Sequence, residues 1–260
     1  MEGGIHGPPR KNFMMLVPKV RNILPRIARN VLWGNRECWG LEAKYDDPCW
    51  KEWEEAKLKF YLENQRKGIG RHVNDAGYKI MSDIDLAGKR ILEIGPGDIM
   101  HHKYWKGIPK RYLIADIHEG MMQQAKDKLD TLGVTYEALT VQRNKPLKIE
   151  SSSIDIILSF YSLEHLNPLI NNITEMRRLL KPGGLLVGAI PAEGGFLWGL
   201  GRFLTSRRWL RKHTNIDPDK IICWEHPNFA DKIISELDNT FKRNFISTWP
   251  FNFAPLIDAN

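Results

Sequence analysis

A short apolar run, Arg90-Ile91-Leu92-Glu93-Ile94, leads directly into Gly95-Pro96-Gly97-Asp98. Such a run reads as a buried parallel strand, and glycines after it let a ligand approach the backbone with no Cβ in the way. A helix is expected to open near Asp98, where free amides favour polar or anionic ligand groups. The next apolar run, Tyr112-Leu113-Ile114-Ala115, ends at Asp116. In a doubly wound sheet these two strands are neighbours, so the Asp116 carboxylate faces the same crevice and can accept two hydrogen bonds from ribose hydroxyls. Asp116 also suits the cap of the helix expected over 119–132. The dinucleotide fingerprint asks for a third glycine where Met100 stands, so pyrophosphate binding is poorly supported.

Further elements must hold these residues in place. A third strand is expected over 135–139 and a fourth over Ile154–Phe160, followed by Leu163-Glu164-His165 and a helix reaching Leu180. Lys181-Pro182-Gly183-Gly184 then ends that helix, because proline cannot continue it and glycine supplies positive φ. A fifth strand follows over 185–190. Alternating strands and helices predict an α/β fold, a Rossmann-like doubly wound and mostly parallel sheet with right-handed crossovers. Counting a strand over 242–249, six to seven strands are expected.

The 260 residues have an ordinary globular composition, with 42% hydrophobic residues and a mean hydropathy of −0.39. The net charge of +7 is unevenly spread. Residues 1–36 carry +6, leaving the other 224 residues near neutrality at +1. A nucleic-acid binder with a basic body is therefore disfavoured. Leu16, Val20, Ile23, Ile27 and Val31 recur at helical spacing, with Pro18 and Pro25 as kinks. This basic segment reads either as a helix over 16–33 lying on an anionic membrane surface or as one packed on its own domain. No apolar run is long enough to span a membrane. The three cysteines lack the paired spacing of a zinc site, and the His101-His102 pair has no third ligand in view, so no metal is expected. A reducing, cytoplasmic location follows from the cysteine usage.

Three regions emerge: the basic segment 1–36, a helical, aromatic-rich extension over 37–85, and a main domain over 86–260. Asp47 before Pro48 marks a helix start in the extension. Trp33, Trp39, Trp50 and Trp53 read as buried aromatic core. The main domain contains an insertion over 192–224 after the fifth strand, with Gly194, Gly195, Gly199 and Gly201 followed by Arg202, Arg207, Arg208, Arg211 and Lys212. Glycines there suit a mobile lid, and arginines suit an anionic acceptor.

Five motifs now stand in order: Leu92-Glu93-Ile94-Gly95-Pro96-Gly97, Ala115-Asp116-Ile117, Ser153–Ser159, Leu163-Glu164-His165 and Lys181-Pro182-Gly183-Gly184. Over residues 86–192 they resemble class I S-adenosylmethionine-dependent methyltransferases, and among these the small-molecule enzymes with a Leu-Glu-His motif. The resemblance implies S-adenosyl-L-methionine as cofactor, with Glu93, Gly95, Pro96 and Gly97 along its methionine and ribose. Asp116 would hold the ribose hydroxyls, Ile117 would lie beside the adenine, and Ser159 and Phe160 would sit near the transferred methyl. Two positions depart from the family pattern. Gln142, Arg143 and Asn144 stand where an acid often contacts the adenine, and Ile99 replaces a small residue, which would tighten the pocket.

Methyl transfer is an in-line displacement that needs alignment and, for a hydroxyl or amine acceptor, a base. His165 is the leading candidate base, with Tyr161, Glu193 and His226 as groups that could orient an acceptor. The expectation is methylation of a small or lipid-linked acceptor, at oxygen, on an anionic saccharide precursor. The alternative is a non-catalytic Rossmann-like protein recruited to a membrane or partner.

Overall fold

The computed structural model describes residues 21–65, 68–142 and 145–247. At its centre is a parallel sheet of five strands: β1 (Arg90–Ile94), β2 (Arg111–Asp116), β3 (Tyr136–Thr140), β4 (Ile154–Phe160) and β5 (Leu180–Ala189), in the order β3-β2-β1-β4-β5. The order reverses at β1, so the β1 and β4 carboxyl ends flank the switch point where ligands of such sheets bind.

Both sheet faces are buried, which is why the strands read as continuous apolar runs. Ile91, Ile114 and Leu158 point to one face. There they meet Tyr78 of helix α4 (Gly68–Tyr78), Met81 beyond it, and Met122, Ala125 and Leu129 of helix α5 (Glu119–Thr131). Leu92, Leu113 and Ile157 point to the other face. There they meet Ile173 and Met176 of helix α6 (Leu169–Leu179) and Ile233 of helix α10 (Ala230–Thr240).

The remaining helices are α1 (Arg26–Trp33), α2 (Arg36–Trp39), α3 (Pro48–Phe60), α7 (Phe196–Leu204), α8 (Ser206–His213) and α9 (Pro218–Glu225). Asp47 starts α3 as expected, its side chain accepting from Cys49 N at 2.8 Å. A wider π-type turn, Tyr61–Gln65, follows α3. Trp50 and Trp53 of the extension pack with Trp209, Leu210, Ile221 and Trp224 of the insertion in a third core. The extension and insertion are thus one helical cap.

The sheet departs from expectation in strand number. Residues 242–247 form no strand. Arg243 folds back to pair with Asp238 of α10, and Phe245 is exposed. This draws the chain away from the sheet edge. Of the expected basic helix, residues 16–20 lie outside the described residues, and Pro25 caps the start of α1. Leu32 and Trp33 pack inward, while Ile23 and Ile27 remain about 80% exposed. No helix among the described residues is long and apolar enough to cross a membrane.

Candidate active site

The glycine loop and Asp116 leave the sheet side by side, because Ile94 pairs with Ala115 and Gly95 N donates to Ala115 O at 2.9 Å. Gly95 adopts φ +67°, and a Cβ on it would fall 2.6 Å from the Ser162 Cβ, so only glycine fits. Ser162 is fixed by donating to Ile94 O at 2.9 Å and lies 2.6 Å from Ser159 Oγ. Tyr61 reaches over Gly97 from the extension and donates to Asp98 Oδ1 at 3.0 Å. Asp116 Oδ1 accepts from His118 N at 2.7 Å. Burial raises the Asp116 pKa above the usual aspartate value, with the His118 amide acting against it.

Gly95, Pro96, Gly97, Asp116 and Ile117 therefore gather at one edge of the sheet. Glu93 takes a different place. It is fully buried, with one oxygen 2.7 Å from His101 Nε2 and the other accepting from Tyr112 OH at 2.6 Å. Both oxygens are used beneath the loop, so Glu93 shapes it from behind. His101 is buried against Glu93 and stacks on Phe160 at 4.8 Å. Ser159 and Phe160 are buried below the same edge. Ile99 adopts φ +52° and turns its side chain into the core, so it does not narrow the crevice. Residues 143–144 lie outside the described residues.

On the β4 side, Tyr161 holds φ +54° and donates its hydroxyl to Asn74 O at 3.1 Å. A Cβ on Gly77 would fall 2.3 Å from that oxygen. Burial raises the phenol pKa well above its usual value. With its proton held by a backbone carbonyl, Tyr161 serves as a strut between β4 and α4 and is poorly suited to take a proton.

Next to it lies a buried charged cluster. Glu193 pairs with Arg202, accepts from Trp198 Nε1 at 2.9 Å and lies 3.0 Å from His226 Nδ1. Burial alone would raise its pKa, but Arg202 and His226 outweigh burial and hold it well below the carboxylate range. Glu225 accepts from Trp53 Nε1 at 3.0 Å and pairs with Lys57 at 2.5 Å. Lys57 outweighs its desolvation and keeps it ionised. Lys57 also lies 2.6 Å from His118 Nε2, tying the cap to the turn after Asp116.

Among the described residues no lysine or arginine forms an ion pair with Glu164. Burial pushes its pKa up to about 8, and its Oε2 has no hydrogen-bond partner. His165 lies 2.6 Å from Glu225 O through Nδ1. A carbonyl only accepts, so the proton sits on Nδ1 and Nε2 keeps its lone pair. Desolvation, then the neighbouring His226, lowers the His165 pKa, while 36% of its side-chain surface stays exposed.

The insertion's arginines are less available than expected. Arg202 is spent on Glu193, and Arg207 is buried against Asp219 and Asn30 O. Arg208, Arg211 and Lys212 remain exposed. The expectation that Arg202 and Arg207 bind an anionic acceptor is corrected: desolvation of an arginine demands a partner, and the protein supplies it internally.

Residues 92–188 match the family described as methyltransferase domain. The match spans the glycine loop, Asp116, β4 and the Glu164-His165 turn. Residues 92–188 carry a methyltransferase domain, in agreement with the resemblance to class I S-adenosylmethionine-dependent enzymes. S-adenosylmethionine is the cofactor of such a domain. Gly95, Gly97 and Asp116 fit it, as two glycines that admit backbone contact and one carboxylate for the ribose.

The ubiquinone/menaquinone biosynthesis C-methyltransferase UbiE of Pseudomonas fluorescens is 30% identical over 133 residues, 50% of this chain and 52% of its own. Its counterpart in Shewanella sediminis is 27% identical over 133 residues, 50% of this chain and 53% of its own. The chain thus spans about half the length of these relatives. A Thermotoga maritima methyltransferase structure, described as a possible histamine N-methyltransferase, is 18% identical with a TM-score of 0.47. It covers 75% of this chain and 82% of its own.

Proposed function

We propose that the protein transfers a methyl group from S-adenosylmethionine to carbon on a small, lipid-borne acceptor. The observation that carries the methyl-transfer reading is the pairing of the Gly95 loop with Asp116 at the switch point of the methyltransferase domain. When bound, the cofactor supplies the electrophilic methyl. The chain's own work is to hold the nucleoside at Asp116, admit it over Gly95 and Gly97, and exclude water with the cap. The relatives named C-methyltransferases support carbon in place of the oxygen expected from sequence.

A lipid-borne acceptor is supported by the surface beside the cap. Helix α1 packs on α7, with Leu32 and Trp33 against Gly199. The outer sides of both helices leave Ile27, Val31, Phe196, Leu197, Leu200 and Leu204 exposed, and Ile23 is exposed just ahead of α1. Exposed Arg26, Arg208, Arg211 and Lys212 accompany them. Apolar side chains bordered by basic ones suit an anionic bilayer surface.

The test is labelled methyl transfer from S-adenosylmethionine into quinone, lipid and saccharide extracts, with carbon- and oxygen-bound products separated by NMR. Label on a lipid-extracted carbon product supports the reading, and label only on oxygen overturns the carbon assignment. Binding of S-adenosylhomocysteine without turnover of any fraction favours the non-catalytic alternative. Co-sedimentation with phosphatidylglycerol vesicles but not phosphatidylcholine vesicles, lost in Ile23→Glu/Ile27→Glu, supports the membrane surface. Equal pelleting of both forms opposes it.

A further inference from the structure

We propose that Glu164, His165 and His226 form a binding site for a divalent transition-metal ion, with an open position for an oxygen atom of the acceptor. Each residue offers one ligand atom, and the three atoms lie within 4.8 Å of one another. Around zinc, with bonds of about 2.0–2.1 Å, tetrahedral ligands sit roughly 3.4 Å apart. His165 Nε2 is already 3.7 Å from Glu164 Oε1, so loading asks for a contraction of side chains only.

Three observations point to a cation here and not to a self-sufficient cluster. Glu164 is 2% exposed, and its Oε2 has no hydrogen-bond partner. Its neighbours Glu193 and Glu225 have each been given a cation, Arg202 and Lys57. His165 is also held in the manner of a metal ligand, which presents one ring nitrogen while the other is fixed by a carbonyl or carboxylate. His165 Nδ1 lies 2.6 Å from Glu225 O, and His226 Nδ1 lies 3.0 Å from Glu193 Oε1. The two rings are 4.6 Å apart at their centroids.

Two nitrogens and one carboxylate oxygen, with no sulfur, suit zinc, cobalt or another first-row divalent ion over calcium or magnesium. Three protein ligands leave a fourth position open, as catalytic sites do and structural sites do not. Glu164 and His165 belong to the short helical turn Leu163–His165 that follows β4, whereas His226 ends α9 of the cap. The ion would therefore clamp the cap onto the sheet.

The site is independent of which acceptor the protein uses, and metal binding can be read without turnover. The full chain, stripped with chelator, is titrated with Co²⁺ and followed by visible absorption. A single site with the intense bands of four- or five-coordinate cobalt is expected. Outer-shell partners of metal ligands are worth about 10–100-fold in affinity, so Glu164→Gln and His226→Asn, which remove ligands, should each weaken binding by at least about 100-fold. His213→Ala, at an exposed histidine outside the cluster, should leave it unchanged. Calorimetric titration with S-adenosylhomocysteine checks that each variant is folded. Should both ligand variants fail that check, X-ray absorption of the zinc-loaded wild-type chain decides. Nitrogen and oxygen scattering alone supports the site; sulfur from Cys38, Cys49 or Cys223 overturns it. No cobalt bands in the wild-type chain, or bands unchanged in folded ligand variants, also overturns it.

Discussion

The two sides of the site are built in opposite ways. The cofactor edge is a backbone device: two adjacent strand ends, two glycines of positive φ and one carboxylate, all within residues 93–116. The cluster beside it is a side-chain device assembled from the turn after β4 and the cap, where Lys57, Glu164, the Glu193–Arg202 pair and Glu225 come from separate stretches of the chain. The first tolerates exchange of most side chains, because main-chain geometry does the work. The second is dry and charged, so each member depends on its partners.

That contrast is broken most forcefully at Arg202. Arg202→Met leaves Glu193 fully buried without its main counter-charge. Loss of one partner of a buried pair costs about 3–5 kcal/mol. Chemical denaturation should show a loss of this size, and Glu193→Gln/Arg202→Met should recover most of it. A single-variant loss below about 1 kcal/mol would mean that water already reaches the cluster, and the contrast would collapse.

On the cofactor side the expected losses fall on binding. If Asp116 holds the ribose as proposed, Asp116→Ala should weaken S-adenosylhomocysteine by about 1–3 kcal/mol, read by calorimetry. The pH dependence sharpens this. Burial raises the folded pKa of Asp116, so by itself the group adds stability as pH falls through that value and costs stability at neutral pH. Binding runs the other way, because only the ionised carboxylate accepts both hydroxyls. Cofactor affinity should begin to fall at a pH above the ordinary aspartate range, and the fall should vanish in Asp116→Asn. The Lys57 ammonium nearby favours the ionised form, so Lys57→Met should move the onset upward, while the His118 amide is untouched.

The same contrast explains what could be read in advance. Strand-and-turn patterns are local, so Gly95, Gly97, Asp116 and the β4 boundaries were legible from residue order. Pairings of side chains were not. Nothing within a short window says that His101 turns inward to Glu93, that Arg202 is consumed by Glu193, or that His226 meets His165. The strand expected over 242–249 was also unsupported over 242–247, where Lys242, Arg243 and Asn244 stand together and Arg243 finds Asp238. The aromatic residues of the extension were read correctly as core, because tryptophan at helical spacing buries whatever its partner. The partner itself, the insertion, was invisible.

The smallest predicted effect tests whether the two sides are separable. Tyr61 belongs to the extension, yet its hydroxyl donates to Asp98 of the cofactor loop at 3.0 Å and stands over Gly97. Tyr61→Phe keeps the ring and removes one hydrogen bond, worth about 0.5–1.5 kcal/mol. If the cap helps to form the cofactor site, S-adenosylhomocysteine should bind more weakly by that amount while the denaturation midpoint barely moves. If the cap serves only the acceptor, cofactor affinity should hold and the acceptor KM should rise. The first outcome is expected, because Lys57 on the same extension also bridges the turn after Asp116 to Glu225. The helical cap is then part of the cofactor site, reached through two side chains of one helix and the turn that ends it.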